Sequence, residues 1–282
     1  MTWVRVVVRP LGPARVAARP LSSPGVVARD RAWPAPPPST LLGALGSLKG
    51  VVMQCPDAQT STERAEKQLK ALAEALGVRR IWGPLIVAEG RTYVQIGDDV
   101  LAELRPGGGL GERRGVKTVR RIGLALGEGK TAIPGLLYAA TYLAESAEFV
   151  YYVDAEVSLK GGLAKLGGEG RLALVEIKEE KLPVEATEGT ALVISPLLMP
   201  EGRQPDGVEP LGLLDYDRRG GWGLSHKVPV VQWGLGFSEV CRERRPLYPA
   251  LAPGVVVALK RPSIGEGYLS ELGYGSVLLL KI

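Results

Sequence analysis

The chain has few of the side chains on which many enzymes and metal sites depend. Its 282 residues include two cysteines, Cys55 and Cys241, and a single histidine, His226. A Cys/His zinc site needs four such ligands, usually in close pairs, so this class of site is excluded and no metal or cofactor is expected. A disulfide between the two cysteines stays open, although their spacing gives it no support.

Long apolar runs and heat-labile residues are also missing. No run of 18 apolar residues is present, which argues against a membrane-spanning helix. The first ten residues alternate apolar and basic side chains and lack the order of a signal peptide, so they predict a strand and we expect a cytoplasmic protein. The absence of asparagine fits a thermophile, although a biased genomic composition produces the same pattern.

Positive charge is concentrated in one glycine-rich segment. Residues 105–121 contain six basic side chains and one acid, a local excess of +5 that equals the excess of the whole chain. This concentration predicts a polyanion partner, because neutralising phosphates is the main sequence-independent source of affinity for nucleic acid. A solvated loop in a slightly basic protein is the alternative interpretation. The basic residues are Arg105, Arg113, Arg114, Lys117, Arg120 and Arg121.

Local signals predict two helices early in the chain. The first spans residues 39–49, with Ser39 or Thr40 as its N-cap. The second begins at a capping box at 60–63 and stops at Gly77. A hairpin that turns at Glu89-Gly90 follows it.

Periodicity and composition predict the remaining elements and an α+β fold. Strands are predicted at 3–9, 136–144, 149–155 and 172–177, with the second and third paired and a short helix at 158–166. The order is that of a ferredoxin-like, RRM-type βαββαβ unit over residues 1–182, with a large insertion at about 51–130. Residues 183–282 form a second domain, with strands predicted at 191–194, 254–259 and 276–280.

Two features that suggest catalysis are weak. The GEGKT segment at 127–131 has Leu124 where a phosphate-binding loop needs glycine, and Pro134 interrupts the helix that should follow, so nucleotide hydrolysis is rejected. His226 suits proton transfer near neutral pH and is the candidate base of a metal-independent ribonuclease. No sequence neighbour supplies a triad or a paired acid, which favours a solvated histidine.

The most specific motif lies near the carboxyl end. Four glycines in the pattern G-x-G-x5-G-x-G directly precede the last predicted strand. Paired glycines let main-chain amides face an anion without interference from Cβ, and let two backbones pass closely. A second cluster at 167–171 repeats this chemistry and adds the guanidinium of Arg171. The four glycines are Gly265, Gly267, Gly273 and Gly275.

Together these motifs resemble the RAMP superfamily of CRISPR proteins and, more narrowly, subunit three of the Cmr (type III-B) effector complex. Five motifs occur in the family's order along nearly the full chain. They are PPPSTLLGAL at 36–45, GPL at 83–85 leading to Tyr93, ERRG at 112–115 leading to Tyr138, LGGEGR at 166–171, and LGYG at 272–275.

The resemblance implies two ferredoxin-like domains, 1–182 and 183–282, the second carrying the glycine-rich loop at 265–275. It implies a non-catalytic subunit in antiviral defence that holds the 5′ tag of the guide RNA. This subunit would bridge the large polymerase/cyclase-like subunit to the backbone subunits. The alternatives are an endoribonuclease that processes CRISPR repeat RNA, the equivalent subunit of a type III-A complex, and a protein adaptor with little RNA contact.

The candidate RNA-binding residues are of two kinds. Basic side chains neutralise the phosphates of a single strand, and exposed backbone amides donate hydrogen bonds to them. We expect them to lie together and to form one site for an anionic strand. The candidates are Arg19, Arg29, Arg31, Ser39, Thr40, Arg113, Arg114, Lys117, Arg120, Arg121, Gly168, Arg171, Gly265, Gly267, Gly273 and Gly275.

Overall fold

The computed structural model describes residues 3–16, 33–126, 132–143, 147–156, 159–167, 171–217 and 221–280. Most of these residues lie in antiparallel sheets, and two helices pack on the first sheet. No helix among them is long and apolar enough to cross a membrane. The elements of the first part are β1 (Trp3–Pro10), α1 (Pro38–Lys49), α2 (Ser61–Leu76), β2 (Val78–Ala88), β3 (Arg91–Ile96), β4 (Val100–Leu104), β5 (Leu110–Gly115), β6 (Thr118–Leu126), β7 (Ala132–Leu143), β8 (Glu148–Ala155), β9 (Gly162–Lys165) and β10 (Leu172–Glu179).

Helix α2 begins and ends where the local signals predict. Thr60 accepts a hydrogen bond from the Glu63 N–H at 3.1 Å, and the Glu63 carboxylate accepts from the Gln59 N–H at 3.0 Å. Gly77 ends the helix in the left-handed conformation, with φ at 70°. The apolar stripe of the helix is buried and consists of Ala65, Leu69, Leu72, Ala73 and Leu76.

The first sheet has eight antiparallel strands in the order β5-β4-β3-β2-β8-β1-β10-β9. The hairpin predicted between β2 and β3 is confirmed. Its two turn residues, Glu89 and Gly90, both have positive φ, as a two-residue type I′ turn requires. The sheet buries one face against the helices and the other against a second sheet.

The second sheet has five antiparallel strands, all of which follow β10 in the sequence. The predicted α+β class is confirmed. The α-helices of the described residues belong to the first part, because no α-helix occurs in 183–217 or 221–280. The elements are β11 (Thr187–Val193), β12 (Leu197–Leu198), β13 (Val208–Asp217), β14 (Gly221–Ser225), β15 (Val230–Gly234), β16 (Phe237–Ser238), β17 (Glu243–Arg244), β18 (Leu247–Leu251), β19 (Val255–Ser263) and β20 (Val277–Leu279), with one-turn helices at Pro200–Gly202 and Ser270–Leu272.

The two sheets repeat one arrangement of four strands. In the first, β1 lies between β8 and β10, and β2 lies outside β8. In the second, β11 lies between β19 and β20, and β13 lies outside β19. This is the split order that a βαββαβ unit uses, although loops and one-turn helices replace α-helices on the crossovers of the second sheet. The assignment of both halves as ferredoxin-like domains stays a prediction.

The structure differs from two predictions for the first sheet. The insertion was expected at about 51–130, before the second strand of the unit, which was predicted at 136–144. In the structure the second strand of the unit is β2, and the additional strands β3 to β7 follow it. The strands predicted at 136–144 and 149–155 exist but do not pair with each other. Instead β7 pairs with β6, and β8 lies between β1 and β2.

The prediction of a short helix at 158–166 is wrong, because this segment contains the strand β9, which pairs with β10. A Cβ at Gly161 would lie 2.5 Å from the Val175 carbonyl oxygen. Glycine there lets the chain run beside β10, so packing against a neighbouring strand overrides the local helical preference.

A disulfide and an ion pair connect the first helical region to the carboxy-terminal part. Cys55 and Cys241 are bonded, with 5.0 Å between their Cα atoms, although 186 positions separate them in sequence. Close by, both carboxylate oxygens of Glu243 accept hydrogen bonds from Arg64 at 2.9 and 3.0 Å. The cysteine spacing gave no support for this bond because the fold alone brings the two loops together.

Candidate nucleic-acid interface

The glycine-rich loop between β19 and β20 packs against its own chain. A Cβ at Gly273 would lie 2.9 Å from the Ile81 side chain and 3.2 Å from the Pro38 ring. A Cβ at Gly275 would overlap the carbonyl oxygen of Glu266. Both glycines have positive φ, so close internal packing and backbone conformation together explain why glycine is present at these two positions.

The amino end of α1 is closed by the same loop. The helix starts one residue earlier than expected, and its N-cap is Pro37, so neither Ser39 nor Thr40 is the cap. Ser39 is buried, and its hydroxyl accepts a hydrogen bond from the Tyr274 hydroxyl at 2.9 Å. Burial raises the pKa of Tyr274 to about 12. The Thr40 N–H donates to the Pro37 carbonyl oxygen at 2.9 Å, so the Ser39 hydroxyl and the Thr40 amide both have partners within the chain.

The other glycine pair borders an open groove. Gly265 and Gly267 line it, and a Cβ at Gly267 would lie 2.8 Å from the Leu198 carbonyl oxygen. The groove has a volume of about 540 Å³ and contains the side chains of Arg203 and Arg261. Arg261 donates to the buried Glu266 carboxylate at 3.2 Å, so one of the two positive charges is partly neutralised.

The basic segment is divided between a sheet edge and a separate hairpin. Arg113 and Arg114 lie on β5, at the edge of the first sheet, and Lys117 follows in the link to β6. Arg114 donates to Glu89 at 2.9 Å, which lowers the pKa of that carboxyl. Its guanidinium also lies over the Tyr93 ring at 5.8 Å, so Arg114 contributes to the sheet edge. The side chains of Arg113, Lys117 and Arg120 are exposed.

Two of the predicted arginines meet at one aromatic ring. The guanidinium carbons of Arg121 and Arg171 lie 5.4 and 5.2 Å from the centroid of Tyr142. In the β6–β7 hairpin Val119 lies opposite Tyr142, which makes Arg121 the diagonal neighbour of Tyr142. Arg171 comes from the loop before β10. Residues 50 positions apart in sequence thus form one cationic cluster, which we call the tyrosine-centred arginine pair.

Backbone contacts connect the loop that carries Arg171 to the chain segments that precede α1. The Leu166 N–H donates to the Arg171 carbonyl oxygen at 2.8 Å, and a Cβ at Gly167 would lie 3.1 Å from the Arg15 carbonyl oxygen. One residue further on, Val16 accepts from the Trp33 N–H at 2.8 Å. The candidates Arg19, Arg29, Arg31 and Gly168 lie outside the described residues.

The candidates within the described residues occur in three local groups, and their assembly into one site stays a prediction. The groups are the glycine-rich loop with the start of α1, the edge of the first sheet, and the tyrosine-centred arginine pair. Sequence reasoning missed Tyr142 as part of the third group. The signal was present in the tyrosines of the predicted strand at 136–144, but only the register with β6 shows which arginine shares a face with Tyr142.

The candidate catalytic histidine is exposed in the loop after β14. Among the described residues, the His226 side chain makes no hydrogen bond, and no group of three His, Cys, Asp or Glu side chains could hold a metal ion. The segment at 127–131, with the rejected phosphate-loop pattern, lies outside the described residues.

Comparison with known proteins gives a partial sequence match and a fold match. No family model matches the chain. The CRISPR system CMR subunit Cmr3 of Saccharolobus solfataricus is 28% identical over 143 residues, which are 49% of this chain and 42% of that protein. The chain thus matches less than half the length of this curated relative.

Solved structures of the type III-B Cmr-beta complex contain a chain with a similar fold. In the complex bound to cognate target RNA, the TM-score is 0.60 at 21% identity, over 90% of this chain and 86% of that chain. In the complex with target RNA and AMPPnP, the TM-score is again 0.60, at 19% identity and the same coverage. These findings confirm the resemblance to the third Cmr subunit that the motifs indicated, and the likeness to the solved chains shows a shared fold.

Proposed function

We propose that the chain is a non-catalytic subunit of a type III-B CRISPR effector complex that holds the 5′ tag of the guide RNA. The sequence match to a Cmr3 protein and the fold shared with chains of Cmr-beta complexes support membership in such a complex. The solved complexes are of type III-B, which favours this type over type III-A. The same membership implies contacts with the large polymerase/cyclase-like subunit and with the backbone subunits.

The tyrosine-centred arginine pair is the observation that carries the RNA-binding part of the proposal. A guanidinium offers several donors in a fixed plane and binds phosphate oxygens in pairs. An aromatic ring within about 6 Å of a guanidinium stabilises it through a cation–π contact and leaves its charge in place. The guanidinium carbons of Arg121 and Arg171 lie within 5.4 Å of the same ring centroid, so the two side chains can approach neighbouring phosphates of one strand. This arrangement favours RNA binding over a protein adaptor with little RNA contact.

The proposal is tested with a charge-reversed double variant, Arg121→Glu with Arg171→Glu. Its control, Arg80→Glu with Arg242→Glu, changes the net charge equally at two exposed arginines that are not part of the pair. Binding of a fluorescent guide RNA with its 5′ tag is measured over a series of salt concentrations. Each lost phosphate contact should flatten the log–log salt dependence by ~0.7, so the test variant should lose about 1.4.

We expect the control to retain the salt dependence of the parent, with affinity reduced only slightly by the lower net charge. A second RNA that lacks the tag should compete poorly with the tagged RNA for the parent protein. If the control weakens binding as much as the test variant, the protein attracts RNA by overall charge alone. The specific role of the arginine pair would then be wrong.

A further inference from the structure

Strand β9 leaves one backbone edge of the first sheet open. It is the last strand in the sheet order, and within the described ranges no strand lies beyond it. The Leu166 N–H donates to Arg171, in register with the pairs Ala164–Ala173 and Gly162–Val175. Because hydrogen-bonded and non-bonded pairs alternate in an antiparallel ladder, the N–H and C=O groups of Leu163 and Lys165 point away from β10.

An apolar patch lies beside this edge on one face of the sheet. Leu174 is opposite Leu163, and the hydrogen bond from the Leu11 N–H to Leu172 places these two residues opposite each other. Residues opposite each other share a face, and alternate residues along β10 return to it, so the leucines form one patch. The exposed fraction is 63% for Leu11, 57% for Leu163, 42% for Leu172 and 37% for Leu174.

The second sheet covers the adjoining part of the same face but stops short of the leucines. Val7, on this face of β1, is 4% exposed and belongs to the core between the two sheets. Arg9 follows Val7 by two residues and lies opposite Leu174, which in turn lies opposite Leu163. Both of these leucines are exposed. Four exposed leucines grouped in this way are a feature of protein-binding surfaces, whereas single exposed leucines are ordinary.

The charges around the patch indicate the chemistry of a partner that would bind there. Arg9 binds Glu148 at 2.6 Å and also Glu176, so these three side chains together leave one negative charge on the β1 side of the patch. The segment 159–167 contains two lysines, Lys160 and Lys165, and no acid. The excess of positive charge lies on the β9 side, so a strand added beside β9 matches it when that strand carries acidic as well as apolar side chains. Among the described residues that form this part of the face, which are Arg9, Leu11, Leu163, Lys165, Leu172 and Leu174, no aromatic side chain offers a surface for base stacking, which argues against single-stranded RNA.

We propose that β9 and the four leucines bind an extended segment of another protein, which adds to the first sheet as a further strand and carries acidic and apolar side chains in alternation. Main-chain hydrogen bonds to Leu163 and Lys165 provide the affinity, and the leucines and lysines provide the specificity. This inference rests on the proposed function, in that the segment belongs to a protein subunit of the same effector complex.

Hydrogen exchange at the amides of Leu163 and Lys165 tests the inference directly. Three samples are compared with the free chain: the chain with tagged guide RNA alone, with the purified large polymerase/cyclase-like subunit, and with the purified backbone subunit. We expect both amides to exchange rapidly in the free chain and with RNA alone. Addition of one of the two protein subunits should slow their exchange at least tenfold.

Two variants and one control give an independent measurement. Lys165→Pro removes an outward-facing amide, which an edge strand tolerates, and Leu163→Glu with Leu174→Glu repels an acidic partner. Leu224→Glu is the control, because Leu224 is 41% exposed on β14, the edge strand of the second sheet. Both edge variants should bind the protein subunit at least tenfold more weakly, while the control and all RNA affinities stay within about twofold of the parent.

The outcomes separate this inference from the proposed function. If neither protein subunit binds the parent chain, the proposed function and the docking surface both fail. If a subunit binds the parent and both edge variants equally well, the docking surface alone is wrong. Slower exchange at Leu163 and Lys165 with RNA alone also overturns the inference, because the edge would then be a nucleic-acid surface.

Discussion

The glycine-rich loop and the tyrosine-centred arginine pair were expected to form one site, yet the structure uses them in opposite ways. In the loop, Gly273 and Gly275 are in close contact with the protein's own atoms, and Tyr274 is bonded to Ser39. At the pair, the guanidiniums of Arg121 and Arg171 both lie over the Tyr142 ring. The conformation of the loop therefore serves internal packing, whereas the pair brings two positively charged side chains to one aromatic ring.

The difference shows that a glycine pattern alone does not identify a ligand site. A glycine that lets two backbones approach serves equally well when both backbones belong to one chain. Whether an arginine can bind phosphate depends on what its guanidinium already contacts. Arg114, bonded to Glu89, and Arg121, beside Tyr142, come from the same basic segment and differ in this respect.

The largest effect should follow from changing the loop. Gly275→Val places a side chain on the Glu266 carbonyl oxygen in a backbone with φ at 64°, and we expect a loss of at least ~3 kcal/mol in the free energy of unfolding. Urea denaturation measures it. Gly12→Val is the control, since a Cβ there meets nothing within 4 Å, and it should change stability by less than ~0.5 kcal/mol. A Gly275→Val protein that is as stable as the parent but binds RNA weakly would contradict the packing role.

The second effect concerns the tyrosine in the same loop. The pKa of Tyr274 is about 12 in the folded protein and 10.0 as its ordinary value, so folding favours the neutral phenol. Its contribution to stability is full below pH 10 and is lost as the pH rises towards 12, at up to ~1.4 kcal/mol per pH unit. Tyr274→Phe should lower the free energy of unfolding by about 1–2 kcal/mol at pH 8, because Ser39 loses its partner.

Urea titrations at several pH values compare this variant with the parent. The difference in the free energy of unfolding should be constant below pH 10 and should shrink between pH 10 and 12. A difference that stays constant up to pH 12 would mean that Tyr274 is not responsible for the alkaline loss of stability.

A smaller effect should come from the ring of the arginine pair. Tyr142→Leu keeps the site apolar and removes the aromatic face, so we expect about threefold to tenfold weaker binding of tagged guide RNA, in line with ~0.5–1.4 kcal/mol for a cation–π contact. Tyr93→Leu is the matched control, because Tyr93 is equally buried and lies beneath Arg114. Equal losses of affinity in both variants would mean that the two rings matter only for folding.

The smallest effect is expected at the candidate catalytic histidine. His226→Ala should leave RNA binding unchanged, and neither protein should cleave repeat RNA without divalent metal. Gel analysis of the RNA after long incubation measures this. Cleavage by the parent that disappears in His226→Ala would show a nuclease and overturn the non-catalytic assignment.

Sequence reasoning succeeded where the deciding interactions are local. The capping box at Thr60, the stop at Gly77 and the turn at Glu89-Gly90 depend on neighbouring residues, and all three are present. It failed for the segment at 158–166, where the neighbouring strand β10 decides the conformation. The candidate site could not be predicted for the same reason. Arg121, Tyr142 and Arg171 are brought together only by the register of β6 with β7 and by a loop that is distant in sequence.

The bond between Cys55 and Cys241 closes two-thirds of the chain into a covalent ring. A protease that cuts one peptide bond inside this ring opens it without releasing a fragment, so the nicked protein keeps its mass until a reductant is added. A cut before residue 55 or after residue 241 releases a piece at once. Gels run with and without reductant therefore sort cleavage sites into those two classes.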